Sequence, residues 1–193
     1  MLSLEESLKI LRETNALLEG HFILSSGLHS PQYVQCAQLL SKPDKANKIC
    51  VALSEKIKDN FKEFDLILSP AMGGVLIGYE IGKLLKKETI FSERVDGKFL
   101  LRRGFTIKKN QKVLIIEDVI TTGKSSLECS KLILESQALV AGYACIIDRS
   151  NDKSLIKEKI ISQIRLNIPT YTKKNLPENL SSIKAIKPGS RDL

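Results

Sequence analysis

Apolar positions recur along this 193-residue chain in two rhythms. Leu4, Leu8, Leu11 and Leu18 fall at helical spacing, and Ser3-Leu4-Glu5-Glu6 fits a capping box, so a helix is predicted over 3–18. Ala46, Ile49, Leu53, Ile57 and Phe61 line one side of a lysine-bearing amphipathic helix predicted over 44–62. Short strands are predicted over 22–26 and 32–36, around the turn Ser26-Gly27-Leu28-His29-Ser30-Pro31. An apolar strand over 65–69 runs into Pro70-Ala71-Met72-Gly73-Gly74, and 75–87 reads as a helix. Strands over 89–95 and 99–107 are joined by Asp96-Gly97. A strand over 112–119, a helix over 124–136 and a strand over 139–148 follow, and a last apolar stretch over 160–168 ends at Pro169. Strand, loop and helix in alternation predict an α/β fold: a mainly parallel central sheet flanked by helices. The tail from Thr172 is polar with scattered Leu and Ile, and is expected to pack along the surface.

The length suits one domain over 1–193, with 42% hydrophobic residues to fill a core. No run of about 18 apolar residues occurs, so no membrane span is expected. Glu5 and Glu6 come too early for a secretory leader, which points to a cytoplasmic protein. The net charge of +8 would allow nucleic-acid binding, but the lysines are scattered and aromatic residues make up only 5%. Nucleic acid is therefore not the expected partner, and part of the charge can serve an anionic small molecule. Cys36, Cys50, Cys129 and Cys145 form no close pair and only His21 and His29 could join them, so no protein-built metal site is expected and the thiols read as reduced. His29 lies among turn residues and reads as a solvated loop side chain.

The chemistry concentrates in Ile115-Ile116-Glu117-Asp118-Val119-Ile120-Thr121-Thr122-Gly123-Lys124-Ser125. A buried strand ends in two carboxylates, a tight turn follows, and a helix opens. Its N-terminal amides and dipole favour an anion. Gly123-Lys124-Ser125 imitates the end of a nucleotide P-loop, yet that loop needs a glycine five positions earlier, where Asp118 stands. Acids beside a phosphate loop suit sugar hydroxyls better than a triphosphate; the plainer alternative is that they cap a turn. Pro70-Ala71-Met72-Gly73-Gly74 is a second loop at a strand's carboxyl end, where two glycines allow backbone amides close to an anion. Arg94, Lys98, Arg102 and Arg103 make the 92–104 hairpin basic, and guanidinium groups suit phosphate oxygens. Arg149 ends the strand predicted after the 124–136 helix and would suit a substrate carboxylate.

Glu117-Asp118-Val119-Ile120-Thr121-Thr122-Gly123 resembles the signature of the type I phosphoribosyltransferases, which bind 5-phosphoribosyl 1-diphosphate. Phe22-Ile23-Leu24-Ser25-Ser26-Gly27-Leu28-His29-Ser30-Pro31-Gln32-Tyr33 resembles the N-terminal hood of the orotate phosphoribosyltransferases. The second loop, Glu93-Arg94-Val95-Asp96-Gly97, the signature and Asp148-Arg149 follow in that family's order, and Lys187-Pro188-Gly189-Ser190-Arg191 fits one bacterial branch. The resemblance covers essentially the whole chain.

It implies the type I fold, with a small hood drawn largely from 1–40 and the C-terminal segment. It also implies transfer of the phosphoribosyl group to orotate in pyrimidine synthesis, with Mg²⁺ and a homodimer of shared sites. Ala71, Met72, Gly73, Arg94, Lys98, Arg102, Arg103 and every residue from Glu117 to Ser125 (Val119, Ile120, Thr121, Thr122, Gly123 and Lys124 among them) would bind phosphoribosyl diphosphate. Asp118, Glu117, Lys98 and Arg102 would be catalytic, and Thr121, Arg149, Ser25 and Tyr33 would meet orotate. Better-known members carry lysine where Ser25 and Gly73 stand and histidine near Leu100; Arg102 and Arg103 would supply charge in their place.

Overall fold

In a computed structural model, which describes residues 2–150 and 154–188, the central sheet has the order β5-β4-β3-β6-β7-β8. Its strands are β3 (Leu66–Pro70), β4 (Glu88–Val95), β5 (Lys98–Leu101), β6 (Lys112–Ile120), β7 (Leu139–Asp148) and β8 (Ile160–Arg165). All neighbours run parallel except the β4–β5 hairpin. The carboxyl ends of β3, β6 and β7 therefore share one edge, where open α/β sheets bind ligands.

Alternation along β6 divides the core in two. Leu114 and Ile116 face α3 (Pro43–Asn60) and α4 (Gly73–Leu85); Val113 and Ile115 face α5 (Lys124–Glu135) and the hairpin's Phe99. All four β6 side chains are fully buried. Each contributes roughly 1.5–3 kcal/mol of transfer free energy, so this strand is the rigid centre on which the site is mounted.

The hood pairs β1 (Leu17–Ile23) with β2 (His29–Val34), preceded by α1 (Leu4–Glu13). The Ser3–Glu6 capping box is present. Several expected boundaries move. Helix α1 stops at Glu13 rather than 18, because Thr14 turns its hydroxyl onto the Ile10 and Leu11 carbonyls and Asn15 takes a left-handed φ of 58°. The hood strands lie earlier than 22–26 and 32–36, since the turn is tight: Leu24 N–H donates to Leu28 O and Gly27 sits at φ 78°. A short helix, α2 (Cys36–Leu40), follows where a strand end was expected. Strand β5 stops at Leu101 instead of 107, because Arg103 and Gly104 adopt left-handed φ, and Ile107 packs as a loop residue.

His29 is the largest correction. It is buried, and its Nδ1 lies 2.6 Å from His21 Nε2, whose own Nδ1 meets Ile183 O at 2.8 Å. The C-terminal stretch is woven into the hood: His29 bridges Tyr171, Phe22 bridges Ile186, and Leu180 of α6 (Glu178–Ser181) is buried. Of the motif closing the chain, Gly189, Ser190 and Arg191 lie outside the described residues.

Candidate active site

The signature lies where its pattern predicted, at the carboxyl end of β6. Its two carboxylates have different surroundings. Glu117 is 8% exposed and accepts a short hydrogen bond from Ser126 Oγ. Burial pushes its pKa up to about 7, the Asp118 charge adds to this, and the bonds from Ser126 oppose it. Asp118 is half-buried; burial raises its pKa, and backbone N–H groups at 118 and 119 hold it back.

Gly123 caps α5 at φ 77°, a conformation that disfavours side chains, and a Cβ there would lie 2.7 Å from Ile156. The N-cap Gly123 offers no side-chain cap; Lys124 N–H reaches Thr122 Oγ1 at 3.4 Å and Ser126 N–H serves Glu117, which leaves the Ser125 amide and the helix dipole for an outside anion. Thr121, Thr122 and Lys124 are exposed around it, whereas the side chain of Ile120 is buried in the core and only its backbone can meet a ligand.

The second loop comes directly alongside. A Cβ on Gly73 would fall 2.6 Å from Asp118 Oδ1, and one on Gly74 would fall 3.1 Å from Ile116 O. The loop's glycines thus let α4 begin against the Asp118 carboxylate. The Ala71–Met72 peptide bond is cis, and Ala71 N–H donates to Ser92 O at 2.8 Å.

Arg149 follows β7 and donates its amide to Ile120 O at 2.8 Å. Its Nε is buried with no hydrogen-bond partner. Burial lowers the guanidinium's pKa and the Tyr33 side chain of the hood opposes this, which places Tyr33 within electrostatic reach of Arg149. An unsatisfied buried donor costs about 1–3 kcal/mol, a cost that an anionic ligand at this position would relieve.

Three of the hairpin's four cations are engaged within the chain. Arg94 pairs with Glu128 of α5 at 2.7 Å and stacks on Phe99 at 4.0 Å. Arg102 and Arg103 both turn to Glu93, at 3.6 and 2.6 Å. Lys98 is exposed opposite Val95. Ser25 is exposed on the hood turn.

Residues 35–173 match the phosphoribosyl transferase domain model. An orotate phosphoribosyltransferase of Parvibaculum lavamentivorans is 45% identical over 98% of both chains. Another, from Rhizorhabdus wittichii, is 47% identical over 97% of this chain and 96% of its own. The chain belongs to the orotate phosphoribosyltransferase family. A crystal structure of orotate phosphoribosyltransferase from Aeropyrum pernix superposes with a TM-score of 0.71 at 22% identity, covering 82% of this chain and 92% of that one. An adenine phosphoribosyltransferase from Thermoanaerobacter pseudethanolicus gives 0.60 at 18%, covering 70% and 88%. The shared fold therefore does not choose the base.

Three contributors escaped the sequence reading. Ser126 resembles any serine in a first helical turn, yet it is fully buried against Glu117. Glu128 is the hairpin's partner on α5. Cys36 sends its thiol toward the Asp118 carbonyl at 3.8 Å, tying α2 to the signature strand. A buried-side periodicity along α5, with Ser126, Cys129, Ser130 and Ile133 inward, is the signal that could have found Ser126.

Proposed function

We propose that this chain moves the 5-phosphoribosyl group from 5-phosphoribosyl 1-diphosphate to orotate, yielding orotidine 5′-monophosphate and diphosphate in pyrimidine synthesis. The observation that carries the base is Arg149: a buried, unpartnered guanidinium nitrogen at the edge that also holds Glu117 and Asp118. Orotate brings a carboxylate to such a group, and a charged bidentate pair is stronger there than in water.

In this reading the α5 amides and the Thr121 and Thr122 hydroxyls hold the 5′-phosphate. Glu117 and Asp118 hold the ribose hydroxyls and favour the oxocarbenium-like carbon that forms as diphosphate leaves. The Gly73–Gly74 backbone and the hairpin's Lys98, Arg94, Arg102 and Arg103 receive the departing charge. Arg149, Tyr33, Thr121 and Ser25 orient the base so that its ring nitrogen faces the anomeric carbon. Among the described residues no cluster of three His, Cys, Asp or Glu could hold a metal alone. A magnesium ion would be carried mainly by substrate oxygens, beside the Glu117 and Asp118 carboxylates that hold the sugar. Magnesium, when bound, would neutralise charge on the departing diphosphate.

The reading extends to the assembly and its setting. Met72, Leu76 and Tyr79 are exposed, at 87%, 57% and 66%, on one face of the second loop and α4. An apolar stripe beginning at the diphosphate loop supports a homodimer whose active sites lie near the seam. Four free, buried cysteines support a cytoplasmic enzyme, where thiols stay reduced.

The test is loss of orotate absorbance on adding phosphoribosyl diphosphate and magnesium, run against adenine, guanine and hypoxanthine. Arg149→Ala should weaken orotate binding by roughly 2–5 kcal/mol and leave phosphoribosyl diphosphate binding nearly intact. Turnover of a purine in place of orotate, or equal weakening of both substrates, would overturn the assignment. Sedimentation settles the dimer: a stable, active monomer removes the shared site.

A further inference from the structure

We infer that Ser126 is a positioning residue that fixes the Glu117 carboxylate and joins it mechanically to the helix turn receiving the 5′-phosphate. The inference rests on the proposed reading for the identity of that anion, and on geometry for the rest. Serine is indifferent or unfavourable inside a helix, and a buried hydroxyl without a partner costs about 1–3 kcal/mol. Ser126 is nevertheless fully buried in the first turn of α5, with its Oγ donating to Glu117 Oε1. Its backbone N–H bonds the same carboxylate. One residue of α5 therefore gives Glu117 both of its local donors.

The turn bearing Ser126 is braced from beneath. Ser130 Oγ donates to Ser126 O at 3.0 Å, so the Tyr143 hydroxyl, 2.9 Å away, donates to Ser130. Tyr143 stands on β7 beside Ile115 of β6. The carboxylate, the helix turn and two central strands thus form one connected unit. A shift of the turn on phosphate binding would move Glu117 with it, which puts 5′-phosphate recognition in register with ribose recognition. Neighbouring groups do not replace this link. Cys145 of β7 stands in register with Glu117 of β6, and Cys129 lies one turn along α5. Burial pushes the Cys129 thiol up to about 12 and the Cys145 thiol well above its usual value, so both stay neutral. Asp118 is then the charge facing Glu117, and it repels rather than orients.

The experiment compares Ser126→Ala with Ser126→Thr, which keeps the hydroxyl. Ser126→Ala should lower kcat/KM for phosphoribosyl diphosphate about tenfold, with KM for orotate within about twofold of wild type. Because the lost bond favours the charged carboxylate, the acid limb of the kcat/KM profile should move to higher pH. Ser126→Thr should restore rate and limb together. In parallel, ¹³C NMR of the Glu117 carboxyl, assigned by its loss in Glu117→Gln, reads the titration in free protein. An upward shift in Ser126→Ala supports the link even if wild type ignores orotate, an outcome that would sink only the proposed reaction. Reduced activity with an unmoved acid limb and an unmoved carboxyl titration would show that Ser126 merely fills space. Should Ser126→Ala fail to fold, Ser126→Cys, a poorer donor of similar volume, must show the same two shifts or the inference falls.

Discussion

At the signature, charge is held inside the protein: Glu117 is buried and takes two bonds from Ser126, and Asp118 lies against the start of α4. At the β4–β5 hairpin, charge is held outside, with Arg102 and Arg103 both exposed and resting on Glu93. The first arrangement is fixed before substrate arrives, which suits groups that must meet developing charge without reorganising. The second is a set of exchangeable ion pairs, each worth little in water, so phosphate oxygens can replace Glu93 at small cost. A leaving diphosphate needs partners that let go, and a cationic sugar needs partners that do not.

The largest expected effect tests how strongly the inner carboxylate is held. The Glu117 pKa is raised in the folded state to about 7. The folded protein then binds that proton more tightly than the unfolded chain does, so this group's contribution to stability is present below about pH 4.5 and is lost as pH rises through 7. Glu117→Gln removes the loss. It should gain about 3 kcal/mol over wild type in denaturant unfolding at pH 8, converge with it towards pH 5, and be nearly inactive. An equal stability difference at both pH values would mean that Glu117 is not a strained, desolvated acid.

Next in size is Asp118→Asn, which keeps the shape of the edge. Turnover should fall at least about tenfold, roughly 1.4 kcal/mol of transition-state stabilisation, with the melting midpoint little changed. Unchanged turnover would remove Asp118 from the reacting sugar.

Gly73→Ala probes the contact between the loops. The added Cβ would sit 2.6 Å from Asp118 Oδ1, and the yielding atom is the carboxylate rather than backbone. Stability should hardly move, while kcat drops by several-fold because Asp118 is displaced. A variant as active as wild type would show that the carboxylate has room to turn without consequence. This prediction also bears on the lysine that better-known relatives carry here: a long side chain at 73 requires a different Asp118 rotamer.

What could be read from sequence followed the same division. The signature was legible because its strand, loop and helix are contiguous, and both its hydrophobic run and its turn chemistry are local. The second loop and the Arg149 position were legible for the same reason: each is a strand end. The hood was not. Its ladder is completed by Tyr171 and Ile186, far along the chain, so His29 resembled a solvated turn residue although it is buried against His21. Ser126 was missed because helical periodicity marks it as inward without saying that its turn faces Glu117. Strand β5 was drawn too long because apolar Phe105 and Ile107 continue its pattern past the Arg103–Gly104 turn.

The smallest expected effect falls on the hairpin. Glu93→Gln removes the acid that occupies Arg102 and Arg103, while Arg94 keeps Glu128 as its partner. Arg103 is the main cause of the lowered Glu93 pKa, so the pair's contribution is present above the ordinary carboxylate range and fades on acidification. Both arginines are more than half exposed, so the melting midpoint should not separate from that of wild type at pH 7. The released cations should bind phosphoribosyl diphosphate somewhat better, lowering its KM by about twofold at low ionic strength, with the gain erased by added salt. Diphosphate should bind more tightly for the same reason, so kcat should fall if release limits the cycle. Titration of diphosphate into wild type and Glu93→Gln at two salt concentrations checks this directly. A large loss of stability, or tighter binding that salt does not weaken, would mean that the hairpin is as firmly built as the signature, and the contrast between inner and outer charge would fail.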